Sequence, residues 1–214
     1  MPSRTPPSIH VIAGVNGAGK SSIQGAAIIE GGGEYYNPDE AARGIMAANL
    51  GLTQRQANSI AWYTGVMLLR KAIEERLDFA FESTLGANTI PGLLRQAAAQ
   101  GIAIHIWFVG LESPELHIAR VQQRVRRGGH FIPEEDIRRR YERSRINLID
   151  LIPCLASFRV FDNSFEADPH EGKAPKPVLV LHMEGGRLVG PPDLNNTPAW
   201  AKSIVAAAIK FTQS

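Results

Sequence analysis

Gly14-Val15-Asn16-Gly17-Ala18-Gly19-Lys20-Ser21 fits the pattern G-x-x-x-x-G-K-[ST]. The residues before it, Ile9-His10-Val11-Ile12-Ala13, are mostly apolar and β-branched, which suits a buried strand. Residues 22–30 suit a helix. Strand before and helix after separate a phosphate-binding loop from a chance glycine-rich turn. Such a loop curls its backbone N–H groups round a polyphosphate, while Lys20 supplies a cation and Ser21 a hydroxyl for Mg²⁺. The helix N-terminus adds its own partial positive charge. The candidate nucleotide-binding set is Gly14, Asn16, Gly17, Ala18, Gly19, Lys20, Ser21 and Ser22. Ser21 is the candidate metal ligand, and ATP and Mg²⁺ are the expected cofactors.

Outward from the loop, Gly31-Gly32-Gly33 should stop the first helix. Tyr35-Tyr36 reads as a second strand. Pro38 opens a helix with Asp39 and Glu40 in its first turn, and Gly51 ends it. Thr53 or Asn58 caps the next helix, which runs to about Arg76. Its apolar positions Ile60, Met67, Leu68, Ile73 and Leu77 approximate one face. Phe79-Ala80-Phe81 is a strand ending in Glu82-Ser83-Thr84. A helix over 88–100 leads to an apolar strand over 102–109, where His105 reads as a hydrogen-bonded core histidine. Ser113-Pro114-Glu115 starts a helix that stops at Gly128-Gly129. Pro133-Glu134-Glu135-Asp136 starts another, with Ile137, Tyr141, Leu148 and Ile152 near one face. A strand over 158–161, a polar loop, a hairpin through Glu184-Gly185-Gly186 and an amphipathic helix over 198–213 complete the chain. Alternating strands and helices predict an α/β fold of the P-loop NTPase type: a parallel sheet sandwiched by helices, an Arg-rich helical lid over about 113–152, and a C-terminal β-hairpin and helix. One domain over 1–214 is expected.

The net charge of +2 does not by itself imply nucleic acid. Cys154 is the only cysteine, so no internal disulfide forms, as in a reducing cytosol. No run is long enough to span a membrane, and the Pro-rich start reads as a frayed tail rather than a signal peptide. A cytoplasmic location is expected.

Binding a nucleotide leaves open what becomes of its terminal phosphate. Asp39, after the second strand, stands where a kinase needs a carboxylate to accept the acceptor hydroxyl's proton. A helix-dipole acid fits that position as well, and Glu40 is the backup. Glu82 could ligate Mg²⁺ through water or bind substrate hydroxyls, or simply close a strand-end turn. Nine of the seventeen arginines lie between Arg120 and Arg145. Arg120, Arg124 and Arg127 share a helix face. One or two of the nine should reach phosphate oxygens, where planar guanidinium groups stabilise charge on the moving phosphoryl group. The rest form a solvated basic face.

GVNGAGKSS, NPDE, FESTLG and RVRRGGHFIPEEDIRRRYERSRINL together resemble the zeta toxin family of phosphoryl transferases. The resemblance covers about Ile9 to Leu148 and is nearest to the stand-alone chromosomal branch. It implies transfer of the ATP γ-phosphate to a hydroxyl of UDP-N-acetylglucosamine or a similar nucleotide sugar. It implies that Asp39 is the catalytic base and that Lys20 and Ser21 take the phosphate and Mg²⁺ roles. Glu82 and Thr84, with Asp39 and Glu40, would contact the substrate. Arg120 would be the catalytic lid arginine and Arg127 a second phosphate-binding one, with Arg139, Arg140 and Arg143 competing. An arginine that well-studied members carry after Glu-x-Thr is replaced by Leu85-Gly86-Ala87. The implied partners are ATP, a small-molecule acceptor and an antitoxin protein, with neither membrane nor nucleic acid. Two other readings stay open: a kinase of polynucleotide ends or another metabolite, and a nucleotide-binding switch without transfer.

Overall fold

The structure, a computed structural model, describes residues 6–21, 23, 34–48, 51–165 and 176–213. Most of the helix expected over 22–30, including Ser22, and its glycine stop lie outside the described residues. The seven-stranded sheet has the order β2-β3-β1-β4-β5-β6-β7. Its strands are β1 (Ser8–Ala13), β2 (Glu34–Tyr36), β3 (Phe79–Ser83), β4 (Ala103–Gly110), β5 (Ser157–Asp162), β6 (Val178–Glu184) and β7 (Arg187–Gly190). β1 lies between β3 and β4, parallel to both, with Ile9 opposite Phe79 and Ile104. Side chains alternate across a strand, so Ile9, Val11 and Ala13 enter one core and Ile12 another. Burial on both faces explains why β1 and β4 read as continuous apolar runs.

The parallel strands end at one edge, where the loop, Asn37 and Thr84 gather; ligands bind at this edge in open α/β sheets. β6 and β7 depart from the parallel order as an antiparallel hairpin on β5. Gly185 and Gly186, with φ of 53° and 75°, form its two-residue turn, the pairing that type I′ hairpins require. Helix α6 (Lys202–Thr212) packs Ile204, Val205 and Ala208 into the larger core.

Helix α1 (Pro38–Ala48) starts at Asn37, whose Oδ1 accepts from Asp39 N at 2.9 Å and Glu40 N at 3.3 Å. Helix α2 (Gln54–Glu75) starts with a capping box between Thr53 and Gln56. Its buried face matches the expected one at Ile73 and, in part, Leu68, and departs from it elsewhere. Ile60, Met67 and Leu77 are 44%, 47% and 45% exposed. The buried stripe is Ala57, Ala61, Gly65, Val66, Leu69, Ala72 and Ile73. The reason is close approach: a Cβ on Gly65 would sit 2.8 Å from the Tyr36 ring. The Tyr36 hydroxyl also donates to Ala61 O at 2.6 Å. Small residues on α2 thus make room for β2.

Helix α3 (Thr89–Ala99) covers the same core, with Leu93, Leu94 and Ala97 buried. Helices α4 (Pro114–Arg126) and α5 (Glu134–Leu151) are the lid pair. α4 ends in a Schellman motif, with Gly128 N bonding Val125 O and Gly129 N bonding Arg124 O. Gly128 has φ of 87°, the left-handed conformation that this cap needs. His105 bonds Ser157 Oγ at 2.7 Å and stacks on His10.

Candidate active site

The loop at the head of β1 is held from beneath. Gly14 N donates to Ser83 O at 3.1 Å, tying the loop to β3. A Cβ on Gly17 would lie 2.8 Å from His117 O, and its φ of 83° is one that side chains resist. The loop can therefore lie flat on α4. His117 is buried at 1% exposure, and its Nδ1–H donates to Asn16 O at 2.9 Å. Burial pushes this imidazole down to about 4, partly opposed by the Asn16 bond and reinforced by the charges of Lys20, Arg120 and Arg145. It therefore works as a neutral donor at pH 7. Asn163, buried after β5, donates from Nδ2 to Ala18 O at 2.8 Å.

Lys20 Nζ donates to Gly14 O at 3.1 Å and lies 3.8 Å from Glu82 Oε2. Glu82 also accepts from the Tyr35 hydroxyl at 2.7 Å and, more weakly, from Asn37 Nδ2 at 3.4 Å. Burial, then the Glu82 charge and bond, drives the Tyr35 phenol far up, so it stays a proton donor. Ser21 is exposed at the start of the segment that follows the loop.

A cleft of about 1510 Å³ opens over this edge. Asn16, Lys20, Asp39, Glu82, Thr84 and Arg140 are among its lining residues. The Asp39 carboxylate is 43% exposed, and both its oxygens face the lid: Oδ2 is 3.5 Å from Arg124 Nη1, and Oδ1 is 3.8 Å from His130 Nε2. Burial lowers the His130 pKa, with Asp39 opposing, so its imidazole is neutral at pH 7.

Arg140 reaches across the cleft from α5. Its Nη1 donates to Asn16 Oδ1 at 2.9 Å, and Nη2 is 3.6 Å from Asp136 Oδ2. A Cβ on Gly86 would lie 2.6 Å from Arg140 Cγ, so Gly86 gives this arginine its path. Leu85, beside it, has φ of 50° and is braced by Asn147 Nδ2, which donates to Leu85 O at 2.6 Å.

The geometry sorts the expected residues. Lys20, Asn16, Asp39, Glu82 and Thr84 share the cleft. Glu40 points away to an exposed pairing with Arg43. Arg120 donates from Nη2 to Asn163 O at 2.8 Å, behind the loop. Arg127 is exposed outside the cleft lining, whereas Arg139 and Arg140 line it. His117, Asn147 and Asn163 escaped the sequence reading. Only His117 carried a signal, one turn before Arg120 and two before Arg124 on the same helix.

A nucleotide-type loop at the head of β1, an acid just beyond the edge strand β2 and an arginine-bearing helical lid define the P-loop kinase class. Within that class the chain belongs to the zeta toxin family, whose model matches residues 1–164. An uncharacterized protein of Haemophilus influenzae is 29% identical over 133 residues, covering 60% of this chain and 88% of its own. The fold is also that of AvrRxo1-ORF1:-ORF2 solved with ATP, at TM-score 0.66 and 15% identity over 94% of this chain. This chain spans 63% of that protein's length. A structure of the PezAT chromosomal toxin-antitoxin system of Streptococcus pneumoniae matches 99% of this chain and 88% of its own, at TM-score 0.54 and 13% identity. Among the described residues, no helix is long and apolar enough to cross a membrane.

Proposed function

We propose that the protein is an ATP-dependent kinase that transfers the γ-phosphate to a hydroxyl of a small molecule, with a nucleotide sugar such as UDP-N-acetylglucosamine as acceptor. The observation that carries this reading is that Lys20, Asp39 and Arg140 line one cleft, each from a different element. Loop amides and Lys20 grip the β- and γ-phosphates. Arg140 bears on them from the lid, and the Asp39 carboxylate takes the acceptor's proton as its oxygen attacks the γ-phosphorus. The bond from that phosphorus to the β-bridging oxygen breaks, and ADP leaves with the electron pair. Lid closure excludes water that would otherwise compete with the acceptor.

Mg²⁺ fits the donor set. The Ser21 hydroxyl and the Glu82 carboxylate are hard oxygen donors at the loop, as this ion prefers. Among the described residues no cluster of three His, Cys, Asp or Glu offers a dedicated metal cage. That suits an ion held mainly by substrate phosphates, where it neutralises charge on the phosphoryl group.

The far wall supports a nucleoside-bearing acceptor. Trp62, Tyr63 and Phe131 line the cleft and are 46%, 60% and 65% exposed, offering flat rings for stacking. Gln54, Asn58 and Ser59 on the same wall offer hydrogen bonds. An antitoxin protein partner belongs to the same reading, since PezAT is a toxin-antitoxin system. Single-turnover transfer from γ-labelled ATP tests the proposal. Label on UDP-N-acetylglucosamine supports it. Label on a 5′-hydroxyl oligonucleotide would replace the acceptor, and ATP binding without transfer to any alcohol would leave only a nucleotide switch.

A further inference from the structure

We infer that Arg124 couples nucleotide binding to the release of the base: it is shared between the Asp39 carboxylate and the phosphates of bound ATP, and it engages one at the expense of the other. The inference rests on the kinase reading above and adds to it a positioning residue with two exclusive partners.

Three observations point to Arg124. First, its guanidinium forks between two groups. Nη1 lies 3.5 Å from Asp39 Oδ2, and Nη2 lies 3.4 Å from His130 Nε2. An Nη that donates to Nε2 requires a bare Nε2, so His130 is the neutral Nδ1–H tautomer. It then cannot donate to Asp39 from that nitrogen, and Arg124 is the lid cation paired with the carboxylate, while Arg140 of α5 acts on it from farther off. Second, Arg124 Nε is buried with no acceptor among the described residues. A guanidinium with a buried donor left over is incompletely satisfied, and a second acceptor group would use it. Third, the side chain is fitted to the turn that joins the two lid helices. A Cβ on Gly129 would lie 2.7 Å from Arg124 Cγ, so the stem rests on backbone at the Gly128-Gly129 joint.

The competition follows from charge. A carboxylate oxygen held by a guanidinium must give up that contact before it can meet an acceptor hydroxyl. A triphosphate in the same cleft carries several negative charges against the single one on Asp39. Planar guanidinium groups bind phosphate oxygens with paired donors, whereas the contact with Asp39 is long and half-exposed. ATP therefore draws Arg124 off Asp39, and the carboxylate becomes free to orient and deprotonate the alcohol only when there is phosphate to transfer.

Binding alone tests this, with no acceptor needed. Titration calorimetry with Mg²⁺ and a non-hydrolysable ATP analogue is run on the wild type, Asp39→Asn, Arg124→Gln and the double variant. Gln keeps much of the stem that rests on Gly129. Asp39→Asn should tighten the analogue about two- to fivefold, the scale of an exposed ion pair no longer broken on binding. In the Arg124→Gln background the same change should give less than half that gain. An equal gain in both backgrounds means that Asp39 merely repels the phosphates, and it overturns the inference. So does looser binding in Asp39→Asn. Arg124→Lys supplies a second background should Arg124→Gln not fold. Failure of the wild type to bind the analogue overturns the kinase reading as well, whereas binding without coupling overturns the Arg124 role alone.

Discussion

The floor of the cleft and its roof are built by opposite means. Beneath the loop, neutral buried groups make short bonds to backbone: His117 to Asn16 O and Asn163 to Ala18 O, at 2.9 and 2.8 Å. Above it, the lid carries ion pairs at or near the surface, such as Arg138 with Glu115 and Arg139 with Asp136. Buried neutral bonds fix geometry, because losing one partner leaves the other unpaired away from water. Exposed ion pairs contribute little and exchange easily. Buried bonds and the apolar cluster of Val15, Ile118, Val121, Ile132 and Ile137 hold the loop in one pose against the lid helices, while the outer face of the lid carries charges that can exchange partners.

The largest effects should come from the groups that meet the phosphates and the acceptor. Lys20→Ala should lower single-turnover transfer by at least about 100-fold, because no other group replaces the cation at the phosphates. Asp39→Ala should lower transfer by about 10² to 10⁴ while ATP-analogue affinity, read by calorimetry, is kept or improved. Transfer at the wild-type rate would remove Asp39 from the mechanism.

His117 sharpens the comparison through pH. The unfolded chain takes up the proton near 6.5 and the folded chain near 4, so between these values the unfolded state binds more protons. Stability from this group is complete above about 6.5, falls as pH drops through the window, and levels off below 4. The loss is up to about 3 kcal/mol. Urea melts at pH 7.5 and 4.5 should show it in the wild type. His117→Gln, without that titration, should lose less across the window and be weaker at pH 7.5.

Gly86→Ala should raise the KM for ATP several-fold with a smaller change in kcat, since the new methyl displaces Arg140. At the small end, Arg138→Ala should leave the melting temperature within error of the wild type. A clear drop there would show that the lid is bound more firmly than its exposed pairs suggest.

How far the sequence disclosed this architecture differs between the same two regions. The loop was legible because eight neighbouring residues with fixed flanks carry the phosphate chemistry locally, and its strand and start signals follow from short-range rules. Pro38 likewise announced the helix that places Asp39, although the Asn37 cap emerged only from the structure. The inner face of α2 was only partly legible, because the expected pattern tracked large apolar residues whereas the contact with Tyr36 selects small ones. Nor could spacing choose among the lid arginines. Arg140 is 124 residues from Asn16 in sequence, and only the folded chain brings them to 2.9 Å. Arg120 and Arg124 share a helix face, yet one bonds Asn163 and the other meets Asp39.

Among the described residues, β2 has just three residues and pairs on one side only, with Tyr36 opposite Phe81. Asn37 and the acid two positions later hang from that margin of the sheet. Local fraying there needs far less energy than melting the centre. Warming should thus silence turnover several degrees before the bulk of the protein denatures, and cooling should restore it without any refolding of the core.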